Sequence, residues 1–282
     1  MIKGFHIPYH FSEDEILALG NDLLSSGLYR WVEVKWPFQL FGFDPTSYVR
    51  GVRKIIREYG PQVSCHIPTN LDLGQTNQGM RAELLRQAKA CIDYSAELGA
   101  TILPLHPGTI LTMDIPATAE TPTKQMLQRA GAQKRETARR YTVEIAQELA
   151  EYCAPMGMTL ALENLLLPQE IAHSAEDLRD LVLRCDRPNI RALFDCGHAH
   201  RVGAAQGPYI RTLGELICHV HLNDNDGTCD LHQQLGEGSI QYPELFSALR
   251  ETGYKGALVM ETDYHSSADL FQSATILDGY LR

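Results

Sequence analysis

Eight short apolar runs of β-type composition recur along the chain, and segments of helical periodicity separate them. The runs are Ile2 to Ile7, Tyr29 to Lys35, Gln62 to Ile67, Thr101 to His106, Met158 to Glu163, Ile190 to Asp195, Ile217 to Leu222 and Ala257 to Glu261. Apolar residues at helical spacing mark Glu13 to Leu24, Pro45 to Tyr59, Met80 to Leu98, Lys134 to Cys153, Ala175 to Leu183, Tyr242 to Glu251 and Ser267 to Leu281, with a weaker signal after Gly203. Strand and helix alternating at this spacing predict parallel β/α units, and eight of them predict an α/β fold closed as a (β/α)8 TIM barrel. An open doubly wound sheet is the alternative, but no G-x-G-x-x-G follows the first run. Two strand-to-helix connections are long: Gly108 to Gln133, rich in Thr and Pro, and Asn223 to Ile240. Long loops on that side of a barrel form the active-site rim and often act as lids.

Most of the apolar runs close on, or one residue past, a residue able to bind metal. Nine such residues stand out: His66, His106, Glu163, Asp195, His198, His221, Asp230, His232 and Glu261. A parallel barrel gathers the C-terminal ends of its strands on one face, so residues distant in sequence converge there. Imidazoles and carboxylates are ligands for several divalent first-row ions. In Leu193-Phe194-Asp195-Cys196-Gly197-His198 the aspartate ends a strand, and the histidine lies beyond a glycine expected to permit a sharp turn. In His219-Val220-His221 the strand period of two aims both rings at one face, and His221 is nearer the open end. Asp230-Leu231-His232 is a D-x-H pair ahead of the pliable Gly236-Glu237-Gly238, and Val259-Met260-Glu261 ends the last strand in a carboxylate. A lone histidine at a strand end is more often a satisfied core or rim residue; the joint placement of nine reverses that weighting. His6, His10, His173, His200, His219 and His265 are read as structural or rim residues, His6 being the strongest exception because it lies near the first strand's end.

Composition narrows the class. At 282 residues, with 44% hydrophobic and 21% charged, the chain can bury one full barrel core, so residues 1–282 are expected to form a single domain. No run reaches the ~18 apolar residues of a spanning helix, and Met1-Ile2-Lys3-Gly4 leads into a strand, so a soluble cytoplasmic protein is expected. Seven cysteines with no C-x-x-C pair suit a reducing compartment, and Cys65, Cys196 and Cys218, which lie beside proposed ligands, read as small buried hydrophobes. A net charge of −10 weighs against a polyanionic partner such as DNA. The basic cluster Arg129, Lys134, Arg135, Arg139 and Arg140 could hold a substrate phosphate, but reads first as a solvated helix face. Trp36, Phe38 and Phe41 are candidates for an apolar wall over a substrate or an oligomer contact.

The motifs above, together with Gly4-Phe5-His6, His66-Ile67-Pro68, His106-Pro107-Gly108 and Leu162-Glu163-Asn164, resemble the xylose-isomerase-like TIM-barrel superfamily. That superfamily contains sugar isomerases and epimerases and the endonuclease IV type of apurinic-site endonuclease. The resemblance runs from Gly4 to Glu261, nearly the whole barrel. It implies that Glu163, Asp195, His221 and Glu261 hold one divalent ion, with the two glutamates as acid and base. The endonuclease-like pattern adds His66, His106, His198, Asp230 and His232, a set that in that branch holds three zinc ions. Two departures weigh against cleavage of damaged DNA. Thr69 stands where the DNA-cleaving branch carries a tyrosine, and the apolar Lys35-Trp36-Pro37-Phe38-Gln39-Leu40-Phe41 stands where that branch has an Arg-bearing loop.

The expected function is therefore a metal-dependent isomerase or epimerase of a sugar or sugar phosphate, using zinc or manganese, one to three ions per chain. Proton transfer by Glu163 and Glu261 would pass through a metal-stabilised enediolate, with Asp195 and His221 as anchors. The alternative is an endonuclease-IV-like trinuclear zinc phosphoesterase, in which clustered ions would generate hydroxide and clamp a phosphoryl group. A non-catalytic metal- or sugar-binding barrel is a third reading, least supported because metal sites open at a barrel's C-terminal face usually serve chemistry. A small carbohydrate is the expected partner, DNA is disfavoured, no membrane contact is expected, and a homo-oligomer is possible.

Overall fold

The computed structural model describes residues 1–36, 45–110 and 120–281. Eight parallel strands close on themselves: β1 (Ile2–His6), β2 (Trp31–Lys35), β3 (Gln62–His66), β4 (Ala100–Leu105), β5 (Thr159–Glu163), β6 (Ile190–Asp195), β7 (Ile217–Leu222) and β8 (Ala257–Met260). Closure is made by β1 pairing with β8, Ile2 opposite Ala257 and Phe5 opposite Met260. The TIM barrel expected from the alternating pattern is thus the observed architecture.

The helices between the strands are α1 (Glu13–Leu19), α2 (Pro45–Tyr59), α3 (Gln78–Glu97), α4 (Thr121–Cys153), α5 (Ala175–Cys185), α6 (Cys196–Arg201), α7 (Gln206–Leu213), α8 (Tyr242–Glu251) and α9 (Ser267–Leu281). Local chemistry sets several of their starts. Ser12 and Glu15 form a reciprocal capping box at α1, and Gly20–Leu24 continue that helix as a π turn. The weak signal after Gly203 is α7. The expected long loop after β4 is shorter than its composition suggests, because α4 begins at Thr121 rather than Lys134. Pro122 is tolerated in the first turn, where its missing N–H would have no partner. The early turns of α4 are almost entirely exposed, so no apolar stripe marked them in the sequence. Residues 111–119 of that loop lie outside the described residues. The connection from Asn223 to Ile240 is a true loop, pinned by an antiparallel bridge between Asp224 and Gln233.

Strand alternation divides the core in two. Phe5, Val32, Val34, Leu103, Leu160, Phe194, Val220 and Leu258 face the helices and join the main apolar cluster. The opposite positions face the barrel interior, where Trp31, Ala257 and Val259 form a separate small apolar plug with Ile2 and Ile102. Gly4 leaves room for it: a Cβ there would lie 2.9 Å from Trp31 Cβ. Above the plug the interior turns polar. The last inward positions, counted to the residue just past the strand where needed, are His6, Lys35, His66, His106, Glu163, Asp195, His221 and Glu261, one from each strand.

No helix among the described residues is long and apolar enough to cross a membrane. All seven cysteines are free; Cys65, Cys91, Cys153, Cys185 and Cys196 are buried, Cys218 is half-buried and Cys229 exposed. Arg140 is exposed and pairs with Glu144, as on a solvated helix face, whereas Arg139 is largely buried and pairs with Asp177 and Asp180. Trp36 sets its ring edge against Tyr94 of α3, centroids 5.1 Å apart; Phe38 and Phe41 lie outside the described residues.

Candidate metal centre and active site

The nine residues singled out in the sequence meet at the C-terminal mouth of the barrel. Glu163, at the end of β5, lies at their centre. Its Oε2 is 3.4 Å from His66 Nε2 and 3.2 Å from His106 Nε2. Its Oε1 is 3.3 Å from His221 Nδ1 and 3.5 Å from His198 Nδ1. His221 Nδ1 also lies 2.8 Å from Glu261 Oε2 and 3.8 Å from Asp195 Oδ2. Two groups sharing Glu163 result, His66-His106-Glu163 and Glu163-Asp195-His221-Glu261, each with donor atoms within 4.8 Å of one another. On the rim Asp230 Oδ2 sits 3.4 Å from His198 Nε2 and 3.1 Å from His232 Nε2.

Ring orientation is set by the other nitrogen of each imidazole. His66 Nδ1 is 2.7 Å from the Ile67 carbonyl, His198 Nδ1 2.8 Å from that of Asn164, and His232 Nδ1 2.6 Å from that of Glu261. A carbonyl only accepts, so Nδ1 carries the proton in each case and Nε2 faces the carboxylates. A neutral imidazole would then direct a lone pair at a carboxylate oxygen, which is repulsive unless a cation or a proton lies between them. His232 adopts its position at φ 45°, the left-handed region that a non-glycine residue seldom occupies.

The electrostatics express the same demand. Burial alone would lower the His198 and His221 pKa values, yet both are raised well above the ordinary value, His198 by Asp195, Asp230 and Glu163, and His221 by Glu261, Glu33 and Glu163. For His232, burial is likewise outweighed by the Asp230 hydrogen bond and the Glu261 charge, and its pKa rises to about 10. Burial pushes the Glu163 and Glu261 carboxyls up, but His221 first, then His106 for Glu163 and Lys35 for Glu261, hold them well below the usual range. Asp195 moves up, mainly because it is buried. Three buried carboxylates around one imidazole nitrogen, with further imidazoles facing inward, form a donor set suited to a divalent ion.

Several residues that hold this arrangement were given no site role from the sequence. Asn164 clamps β5 to β6: its Oδ1 accepts from Asp195 N at 2.7 Å and its Nδ2 donates to Asp195 O at 2.9 Å. Asn223 Nδ2 donates to Asp195 Oδ2 at 3.2 Å. Lys35 Nζ pairs with Glu261 Oε1 at 3.3 Å, placing a cation where an apolar rim was expected. The signal available for Lys35 was its parity with Trp31 and Glu33 along β2. His6 is buried nearby with neither ring nitrogen hydrogen-bonded, and burial followed by the Lys35 charge lowers its pKa to about 3.

Gly197 acts differently from its expected role. It lies inside α6 and not in a sharp turn, with Asp195 capping the helix by accepting from His198 N at 2.7 Å. What it supplies is space, since a Cβ there would overlap Asn223 Oδ1. Gly197→Ala should therefore displace Asn223 from Asp195 and destabilise the fold by about 1–3 kcal/mol. Urea denaturation of the metal-free protein checks this, and an unchanged midpoint would refute the packing argument.

The family model described as xylose isomerase-like TIM barrel matches residues 22–278. An uncharacterized protein of Methanocaldococcus jannaschii is 28% identical over 229 residues, 79% of this chain and 71% of that protein. Fructoselysine 3-epimerase of Shigella flexneri is 26% identical over 248 residues, 83% of this chain and 80% of the relative. Among solved structures, the IOLI protein with a binding zinc atom superposes with a TM-score of 0.74 at 15% identity, covering all of this chain and 96% of its own, a likeness of fold. A matched model spanning most of the chain, over a closed barrel with its polar residues at the C-terminal mouth, places this protein in the xylose isomerase-like TIM barrel family.

Proposed function

We propose that this protein is a divalent-metal-dependent isomerase or epimerase acting on a sugar or sugar phosphate. The observation that carries the reading is the approach of two glutamates from β5 and β8 to one imidazole nitrogen, Glu163 at 3.3 Å and Glu261 at 2.8 Å from His221 Nδ1. Glu163, Asp195, His221 and Glu261 are the residues that would hold the ion, with His66, His106, His198, Asp230 and His232 as further ligands around them. When bound, zinc or manganese supplies Lewis-acid polarisation of a carbonyl and stabilises the negative charge that develops as the adjacent carbon loses its proton. The protein's own groups move that proton. Both glutamates are held ionised, so each is ready to accept it, and the same carboxyl once protonated is the acid that returns it. An isomerase needs one such group, which carries the proton to the neighbouring carbon; an epimerase needs one on each face of the same carbon. Asp195 and His221 anchor, and the Lys35 ammonium keeps Glu261 charged. The epimerase activity named for the Shigella relative supports the reaction class.

The test is exchange of carbon-bound hydrogen. A panel of ketoses and ketose phosphates incubated with zinc- or manganese-loaded protein in D2O should take up deuterium beside the carbonyl in at least one member, and chelation should stop it. Loaded protein that labels no member of the panel yet hydrolyses a small phosphoester would replace this reading with a trinuclear phosphoesterase. One observation favours that second reading: His198, Asp230 and His232 gather on the rim, beyond what proton transfer needs. Elemental analysis separates the two. About one ion per chain fits the quartet alone, whereas about three zinc ions would engage all nine residues and bring phosphoester hydrolysis level with isomerisation.

A further inference from the structure

Below the mouth, a buried chain of polar groups runs into the barrel interior. Trp31 Nε1 donates to Ser64 Oγ at 2.8 Å, and Ser64 Oγ donates to Glu33 Oε2 at 2.8 Å. His219 Nε2 lies 2.9 Å from that same oxygen. His221 Nε2 completes the chain, 3.3 Å from Glu33 Oε2 and 3.1 Å from Oε1. Glu33, Ser64, His219 and His221 are wholly excluded from solvent. A carboxylate in such a place is costly unless it is fully partnered, and proton transfer at the mouth does not require it.

His221 differs from three of the other proposed ligand histidines. His66, His198 and His232 each donate Nδ1–H to a backbone carbonyl and present Nε2 to the carboxylates. His221 presents Nδ1, so with an ion on that nitrogen its proton would sit on Nε2, where the facing group is Glu33 rather than a carbonyl. We propose that Glu33 is the positioning residue of the metal site: its carboxylate takes the Nε2–H of His221 and so fixes Nδ1 as the ligating atom, while Trp31, Ser64 and His219 hold the carboxylate in place. The inference rests on reading Glu163, Asp195, His221 and Glu261 as a metal site. A carboxylate behind a ligating imidazole fixes its tautomer and raises its basicity, and loss of such a partner typically costs 10–100-fold in metal affinity.

Glu33, His219 and His221 also have donor atoms close enough together to suggest an ion of their own. The Ser64 hydroxyl, itself held by Trp31 Nε1–H, donates to Glu33 Oε2, so that oxygen is engaged by a proton rather than left open for an ion.

Two measurements test the proposal. Zinc affinity by chelator competition should fall about 10–100-fold in Glu33→Gln, and less in Ser64→Ala, which keeps the charge and loses one of its tethers. In zinc-loaded wild-type protein, 15N NMR of the histidine rings should show zinc on His221 Nδ1 and a slowly exchanging proton on Nε2. Zinc on Nε2 of His221, or a folded Glu33→Gln that binds zinc as tightly as wild type, would overturn the proposal. If Glu33→Gln does not fold, the wild-type spectrum alone decides. Wild-type protein that takes up no zinc or manganese would instead sink the metal-site reading on which the proposal stands, a result distinct from the other two.

Discussion

Glu163→Gln is expected to abolish proton exchange, with a fall in kcat of roughly 10²- to 10⁴-fold. Glutamine keeps the shape of the side chain but can neither accept the carbon-bound proton nor offer negative charge. The consequence spreads because four imidazoles, those of His66, His106, His198 and His221, lie within 3.5 Å of the carboxylate. Glu261→Gln should lose exchange as well, and it would leave the Lys35 ammonium, 3.3 Å away, without a charged partner. Deuterium uptake from D2O, measured beside metal content on the same samples, separates loss of the base from loss of the ion. Either variant retaining both its metal and full exchange would remove that glutamate from the mechanism.

Stripping the metal should lower the melting temperature, and by more at alkaline pH. A ligand present at 100 times its dissociation constant stabilises by about 2.7 kcal/mol, which at about 2–4 °C per kcal/mol corresponds to a fall on the order of 5–10 °C. The pH dependence follows from the histidines. The His232 pKa is raised from 6.5 to about 10 in the fold, with burial opposing and the Asp230 hydrogen bond prevailing. A raised folded-state value contributes stability that is complete below about pH 6.5 and is lost as pH climbs through about 10. His66, His198 and His221 are shifted in the same direction, by Glu163 for the first, Asp195 for the second and Glu261 for the third, each against burial. Metal-free protein therefore weakens across that window, as the protons that balance the carboxylates leave. In loaded protein the ion takes their place. Calorimetry with and without chelator at pH 6.5 and pH 9 should show the gap widening, and a gap that narrows would contradict this account of the site.

The fold was legible because its signals are local. Strand period, helical spacing and the alternation between them reside in short windows, and eight repeats of one unit leave few architectures. The boundary of α4 was not legible, since exposed early turns carry no apolar stripe. Candidate ligands were legible for a related reason: a parallel barrel brings strand ends together, so reading where each apolar run stops is equivalent to reading the mouth. Supporting residues were hidden. Nothing in Trp31-Val32-Glu33-Val34-Lys35 says that the glutamate reaches His221 from across the barrel, or that the lysine meets Glu261. Gly197 suggested a turn, and its actual role depends on Asn223, twenty-six residues later in the chain.

By itself, then, the sequence determined the (β/α)8 order and, to within a residue, where each strand ends, because backbone periodicity and strand parity depend on neighbours along the chain. Only the tertiary structure decided which nitrogen of each imidazole faces the site, which carboxylates share a charge, and which residues stand behind the ligands. Those choices depend on hydrogen-bond partners from other strands, at distances set by barrel closure, and no local pattern encodes them.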